Sequence, residues 1–250
     1  MRLGATLTQL STGPARPLAD WARELVDAGF DSLWTPHIIG RGTLIPDPFV
    51  ALATAAAATD GIELGTATLQ VPLFHPAELA YRILSLQAVC GDRLTLGLSP
   101  GSTDTDYATL DHDYSNRFDT FYRNLTRLRG LLDTGRDAEA VLTDQPSGRP
   151  KLLLGSWGKN VDRAAREFDG WLASGYRRTP DQIIEALARF RMAGGGRAMV
   201  CAIQVSSEAD LAPVGEQLRR YREAGFDDAV VVIEPGGPTP ADVRALLPPT

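Results

Sequence analysis

Hydrophobic and polar positions along the chain follow two alternating periods. Short apolar runs rich in Val, Leu, Ile and Ala are each followed by a longer stretch in which apolar residues recur at spacings of three and four. The short runs predict strands over 3–8, 31–35, 62–70, 94–99, 151–156, 170–174, 198–205 and 228–234. The longer stretches predict helices over 17–28, 47–59, 76–90, 116–134, 159–168, 180–193, 208–224 and 240–247. Strand then helix, eight times over, is what an α/β fold of the (β/α)8 TIM-barrel type requires, and 250 residues is a length at which such a barrel closes. The expectation is therefore a single barrel domain over 1–250 with short insertions, its longest loops at 36–46, 102–115 and 136–149.

Several predicted ends carry their own chemistry. Asp47-Pro48 and His75-Pro76 put proline at a first helical position, where its missing N–H costs nothing, and His75 is read as a structural cap. Thr179-Pro180 and Thr239-Pro240 repeat the arrangement with a capping hydroxyl in front. Asp27-Ala28-Gly29-Phe30-Asp31 and Glu223-Ala224-Gly225-Phe226-Asp227 echo one another as helix endings, with glycine free to turn left-handed and phenylalanine folding back. The helix over 116–134 shows an apolar stripe of Phe118, Phe121, Tyr122, Leu125, Leu128 and Leu132, which reads as core.

Charge and composition narrow the partners. With 25 basic and 31 acidic residues the net charge is −6, which argues against nonspecific binding to nucleic acid or to an anionic membrane. No apolar run is long enough to span a bilayer, and the first residues enter a strand pattern without a signal-peptide head, so a cytoplasmic soluble protein is expected. Cys90 and Cys201 each lie inside an apolar run and read as buried free thiols. The three histidines show no metal-ligand spacing, so no metal site is expected.

In barrels of this kind the chemistry collects where strands end. The residues there are Thr8 and Gln9, Trp34 to His37, Thr66 to Gln70, Ser99 to Thr103, Gly155 to Asn160, Ser174 to Arg178, Val205 to Ser207 and Glu234 to Gly237. His37, opening a glycine-containing loop, is placed to move a proton or bond a ring carbonyl, or else to bond the backbone. Gly155-Ser156-Trp157-Gly158-Lys159-Asn160 joins a strand to a helix start, and glycines, helix amides and Lys159 together suit an anion such as phosphate. Arg177 and Arg178 at the next strand exit add to that reading. The exits of the third and fourth strands are small or hydroxylic, which lets a large planar ligand approach.

Other chemistries are poorly served. No strand exit from the first to the fifth ends in Asp or Glu, Asp104 and Asp106 being the nearest, so a glycosidase pair is missing. Gly97-Leu98-Ser99-Pro100-Gly101 has the letters of a nucleophile elbow, but its proline removes the amide an oxyanion hole would use. Lys151 and Lys159 are the only lysines, which leaves a Schiff-base aldolase almost nowhere to put its amine.

The segments ELVDAGFDSLW, DGIELGTATL, HPAELAYRILSLQAVCGDRLTLGLSPG and PKLLLGSWGKNVDRAAREFDGWL resemble the bacterial luciferase-like superfamily of flavin- and coenzyme F420-dependent enzymes, over nearly the whole chain. The resemblance implies an oxidoreductase or monooxygenase using reduced F420, or alternatively FMN, on an unidentified small-molecule substrate. It implies a ring site at Thr66, Ala67, Thr68, Ser99, Gly101 and Ser102, with a non-proline cis peptide at about Ala67-Thr68. A phosphate site is implied at Gly155, Ser156, Trp157, Gly158, Lys159 and Asn160, to which Arg177 at the next strand exit is added from its position. It further implies His37 as the proton-handling group, Trp34, Gln70 and Phe74 on the substrate side, and a homodimer. Two positions depart from the family pattern: Pro36 stands where many relatives have an acid before the histidine, and Ser102 where many F420 relatives have a glutamate. A barrel that binds the flavin-type ligand without turnover is the alternative.

Overall fold

A computed structural model describes residues 1–8, 16–146 and 148–248. Eight parallel strands close into a barrel in the order of the chain. They are β1 (Arg2–Thr6), β2 (Ser32–Thr35), β3 (Glu63–Gln70), β4 (Leu94–Ser99), β5 (Lys151–Gly155), β6 (Gly170–Ser174), β7 (Arg197–Val205) and β8 (Asp228–Ile233). Around them lie α1 (Leu18–Asp27), α2 (Pro48–Ala58), α3 (Pro76–Cys90), α4 (Asp104–Ala108), α5 (Arg117–Thr134), α6 (Asn160–Glu167), α7 (Pro180–Met192), α8 (Leu211–Ala224) and α9 (Pro240–Ala245). This is the expected TIM barrel. The unexpected element is α4, whose five residues inside the 102–115 loop are too few to show a period.

Local chemistry sets the element ends. The Asp47 carboxylate opens α2 by accepting from the amides of Phe49 and Val50 at 2.9 and 3.2 Å. Thr179 and Thr239 form reciprocal capping boxes with Gln182 and Asp242. His75, by contrast, makes no capping bond with its side chain. Gly29 and Gly225 adopt φ of 88° and 95°, and the amides of Phe30 and Phe226 reach back to the carbonyls of Leu25 and Tyr221 at 3.2 and 3.1 Å. The two echoed segments are thus the same turn. On α5 the stripe is buried at Phe121, Leu125, Leu128 and Leu132 and half-buried at Tyr122, while at its start Phe118 is 41% exposed beneath Arg117.

Most of the core lies between the sheet and the helices, and a smaller cluster fills the barrel itself: Trp34, Leu153, Leu172, Met199, Cys201 and Val230, with Ala67 and Ala202 against it. Trp34 corrects the expectation that it lines the substrate side. It is fully buried inside the barrel, with its indole N–H donated to the Ser32 hydroxyl at 2.8 Å toward the start of β2. Gly65 makes room for it, since a Cβ there would stand 2.3 Å from the Trp34 ring and 2.7 Å from the Thr95 carbonyl. Thr66 is also withdrawn from the rim: its buried hydroxyl donates to the Gly97 carbonyl at 2.9 Å.

The N-terminal end of the barrel is closed by ions. Arg197 donates to Glu63 at 2.7 and 3.0 Å and to Asp228 at 2.7 Å, while Arg2 reaches Glu63 at 2.7 Å and Asp228 at 2.5 Å. Burial alone would raise the Glu63 pKa, but the bonds and charge of Arg197, with Thr95 and Arg2, hold it at about 2. Among the described residues no helix is long and apolar enough to cross a membrane.

Gly65→Ala is expected to lower stability by about 1–3 kcal/mol, because backbone and indole both stand in the way. An unchanged urea midpoint would contradict this account of the barrel interior.

Candidate active site

The C-terminal rim is shaped by β3, β4 and β5. The Ala67–Thr68 peptide is cis, and the register of β3 against β4 shifts between Ala67 and Leu69. The Thr68 and Ser99 hydroxyls bond each other at 2.7 Å, and Ser99 Oγ accepts from the Gly101 amide at 3.2 Å. A Cβ on Gly155 would come within 2.6 Å of Thr68 Cγ2 and 3.4 Å of Ser99 Cβ. Thr68, Ser99, Gly101 and Gly155 therefore form one floor of small side chains, underlain by Ala67 and Ala202. Ala202 takes φ of 60° where β7 slips against β8, a conformation rare outside glycine. Ser102 stands apart from the floor, exposed, with its carbonyl accepting from the Tyr114 hydroxyl at 3.1 Å.

His37 reaches this floor from the loop after β2. Its amide donates to the Thr68 carbonyl at 3.2 Å, and its ring lies 5.1 Å from that of Phe74. The side chain is 9% exposed and its Nδ1 is buried without a partner. Burial pushes the His37 pKa below its ordinary 6.5; Asp47 and Asp106 oppose the shift and Arg82 assists it. The imidazole is neutral at neutral pH and can take a proton.

Gln70 does not open toward substrate as expected. It is buried, and its Nε2 donates to the His37 carbonyl at 2.9 Å and to Asp106 Oδ2 at 2.7 Å. Asp106 is fully buried and also receives Arg41 through two bonds. Of Asp104 and Asp106, the latter is thus consumed in an ion pair. Phe74 is half-buried and walls a cleft of about 700 Å³ between the starts of α3 and α5, with Tyr107 beside it and His75, His112 and Arg123 opposite.

The turn from Gly155 to Asn160 is built as an enclosed corner. Ser156 Oγ donates to the Asn160 carbonyl at 3.2 Å, the Ser156 carbonyl accepts from Trp171 at 3.1 Å, and Asn160 Oδ1 accepts from Tyr122 at 3.3 Å. Gly158 takes φ of 61° and Lys159 is exposed at the entry to α6. The arginine that joins this corner is Arg178, whose guanidinium lies 3.9 Å from the centre of the Trp157 ring. Arg177 is turned outward over Tyr176 instead, which corrects its assignment to the turn. Arg178 makes no ion pair among the described residues, and burial lowers its pKa. Gln9 lies outside the described residues. Among the described residues no group of three or more His, Cys, Asp or Glu could hold a metal ion.

The chain belongs to the luciferase-like monooxygenase family, whose profile matches residues 2–230. It is 34% identical over 129 residues to the 4-hydroxyprotoasukamycin monooxygenase of Streptomyces nodosus subsp. asukaensis, covering 51% of this chain and 33% of that protein. To the oxygenase component of the flavin-dependent trigonelline monooxygenase of Acinetobacter baylyi it is 31% identical over 83 residues, 33% of this chain and 23% of that one. A putative coenzyme F420-dependent oxidoreductase of Mycobacterium tuberculosis is 26% identical over 202 residues, 69% of this chain and 55% of the relative. The chain thus spans between 23% and 55% of these relatives' lengths. A monooxygenase from Streptomyces bottropensis shares the fold with a TM-score of 0.75 at 18% identity, over 98% of this chain and 96% of that one.

Because His37 binds its proton less readily folded than unfolded, the unfolded chain takes up more protons as pH falls below 6.5, and stability declines there. His37→Gln should remove this component: the loss of urea stability between about pH 7.5 and about pH 5.5 shrinks relative to wild type. An equal loss in both proteins would contradict a buried, neutral His37.

Proposed function

We propose that this chain is a monooxygenase that holds reduced FMN on the rim of β3, β4 and β5 and oxidises a small organic substrate, with His37 as the proton-handling residue. The observation that carries the reading is the floor of small side chains at Thr68, Ser99 and Gly155, beside which the His37 backbone bonds the Thr68 carbonyl. A flat tricyclic ring fits such a floor. Its phosphate fits the corner of Ser156 to Asn160, where Lys159 and Arg178 supply positive charge. The cofactor would supply the reducing equivalents. The chain's own residues orient the ring, screen it from water and, at His37 Nδ1, accept a proton.

Reduced FMN is preferred over F420 on two grounds. The relatives at 34% and 31% identity carry monooxygenase names, the second of them flavin-dependent. Ser102 also stands where many F420 relatives carry a glutamate. Hydride transfer from reduced F420 is the second reading, favoured by the putative F420-dependent relative that aligns with 69% of this chain.

The test is to titrate the purified protein with FMN and with F420, then mix each reduced complex with aerated buffer and substrate candidates. FMN is expected to bind, and Arg178→Ala to weaken it by roughly tenfold, the worth of one charge-assisted hydrogen bond. Arg177→Ala should leave FMN binding unchanged. Binding of F420 alone would transfer the assignment to the second reading, and binding of neither would overturn both.

A homodimer formed through α2 and α3 belongs to the same proposal. The α2 sequence PFVALATAAAA has no charged residue on any face, and a helix apolar all round is normally covered. Val50 on α2 is 61% exposed, Tyr81 and Val89 on α3 are 62% and 54% exposed, and Leu44 beside them is 92% exposed. Exposed apolar surface of this kind fits a second copy. Light scattering should report a dimer for wild type and a monomer for the double variant Val50→Asp, Tyr81→Asp; a wild-type monomer would refute it.

A further inference from the structure

His37 is held by its main chain as well as by its surroundings. Its N–H donates to the Thr68 carbonyl at 3.2 Å, and its C=O accepts from Gln70 Nε2 at 2.9 Å. The same Gln70 amide donates to Asp106 Oδ2 at 2.7 Å. Asp106 in turn takes Arg41 in a two-point grip, Nε to Oδ1 at 2.7 Å and Nη2 to Oδ2 at 2.5 Å. One chain of bonds therefore runs from Arg41 in the loop after β2, through Asp106 on α4 and Gln70 at the end of β3, back to His37 in the loop where it began.

We propose that Arg41, Asp106 and Gln70 are positioning residues, a relay that pins the His37 backbone so that its imidazole stays buried against Phe74 with Nδ1 uncommitted. Three features of the relay argue for this role. Asp106 has both oxygens engaged and is fully buried, so it is spent as a proton donor or acceptor for a substrate. A forked guanidinium on a carboxylate fixes direction as well as distance, which a single point of charge does not. Gln70 lies across the two loops and, among the described residues, is the one side chain bonded to both Asp106 and His37, so the strength of the ion pair reaches His37 through it.

The relay bears on catalysis only through the reading of His37 given above, but it can be tested without cofactor or substrate. His37 is one of three histidines, so its ring can be followed by NMR in the cofactor-free protein. The charged groups facing it are Asp47 at the start of α2, Arg82 on α3 and Asp106 on α4, the last paired with Arg41 from its own loop. Gln70→Leu alters none of these charges. It removes only the tether, so a change in His37 titration reports its position and burial.

With the tether gone, the His37 midpoint is expected to rise toward 6.5 as the loop loosens and the ring meets water. Arg41→Lys keeps the charge but loses the fork, and a smaller rise in the same direction is expected. Arg41 is partly exposed, so its variant decides the matter if Gln70→Leu does not fold. A wild-type midpoint in Arg41→Lys and in any folded Gln70→Leu, with only the melting temperature lowered, would reduce the relay to a structural brace and overturn the proposal. Failure of FMN and F420 to bind would overturn the proposed function and leave this result standing.

Discussion

Trp34 is the side chain around which the barrel is filled. A closed eight-strand barrel has a packed interior, not a pore, so every inward volume is set against the others. The indole takes the space that Gly65 leaves, and Gly4 gives way on the opposite side, where a Cβ would stand 3.0 Å from the ring. Leu153, Leu172, Met199 and Val230 complete that layer, and the cluster of Arg2, Glu63, Arg197 and Asp228 closes the end beyond it. With the bulk placed low, the layer above is left to Ala67, Thr68, Ser99, Gly155 and Ala202. A floor for a planar ligand is the consequence of how the rest of the interior is packed.

Two irregularities in the strands lie at that level. The register of β3 slips against β4 between Ala67 and Leu69, and that of β7 slips against β8 between Val200 and Ile203. Bulges re-aim side chains and are common beside active sites. Here both bring an alanine, Ala67 and Ala202, onto the same interior cluster. Larger residues at either position would fill the floor from below. The left-handed Ala202 is the sign that this local shape is held against backbone preference.

The fold was legible because its signals are local. Periodicity separates Leu94–Ser99 from Pro76–Cys90 without reference to any other part of the chain, and the repeated Ala-Gly-Phe-Asp turn shows its left-handed glycine in four letters. The site was legible only in outline. Period-two alternation says that Trp34 faces inward, but its lean toward Ser32 depends on Gly4 and Gly65, which lie 30 or so positions away in the chain. Arg177 and Arg178 are adjacent, and the single turn Gly175–Arg177 decides which of them reaches Trp157. The contact between Arg41 and Asp106 spans 65 positions and that between Gln70 and His37 spans 33. Such pairs leave no period and no motif.

The same ion pair resolves a conflict in the site. A histidine that is to accept a proton near neutral pH must be neutral beforehand, and burial achieves this by raising the cost of its charge. Loops are poor at burying anything, because their backbone groups need water or partners. An unpaired carboxylate near the ring would hold the loop but pull the histidine toward its charged form, as Asp47 and Asp106 already do in part. Pairing Asp106 with Arg41 gives a tether whose net charge is zero, and Gln70 passes the tether on through a neutral amide. Loop 36–46 is thereby anchored to α4 while the protonation of His37 remains governed chiefly by burial. That arrangement gives the site a base that is both fixed and uncharged.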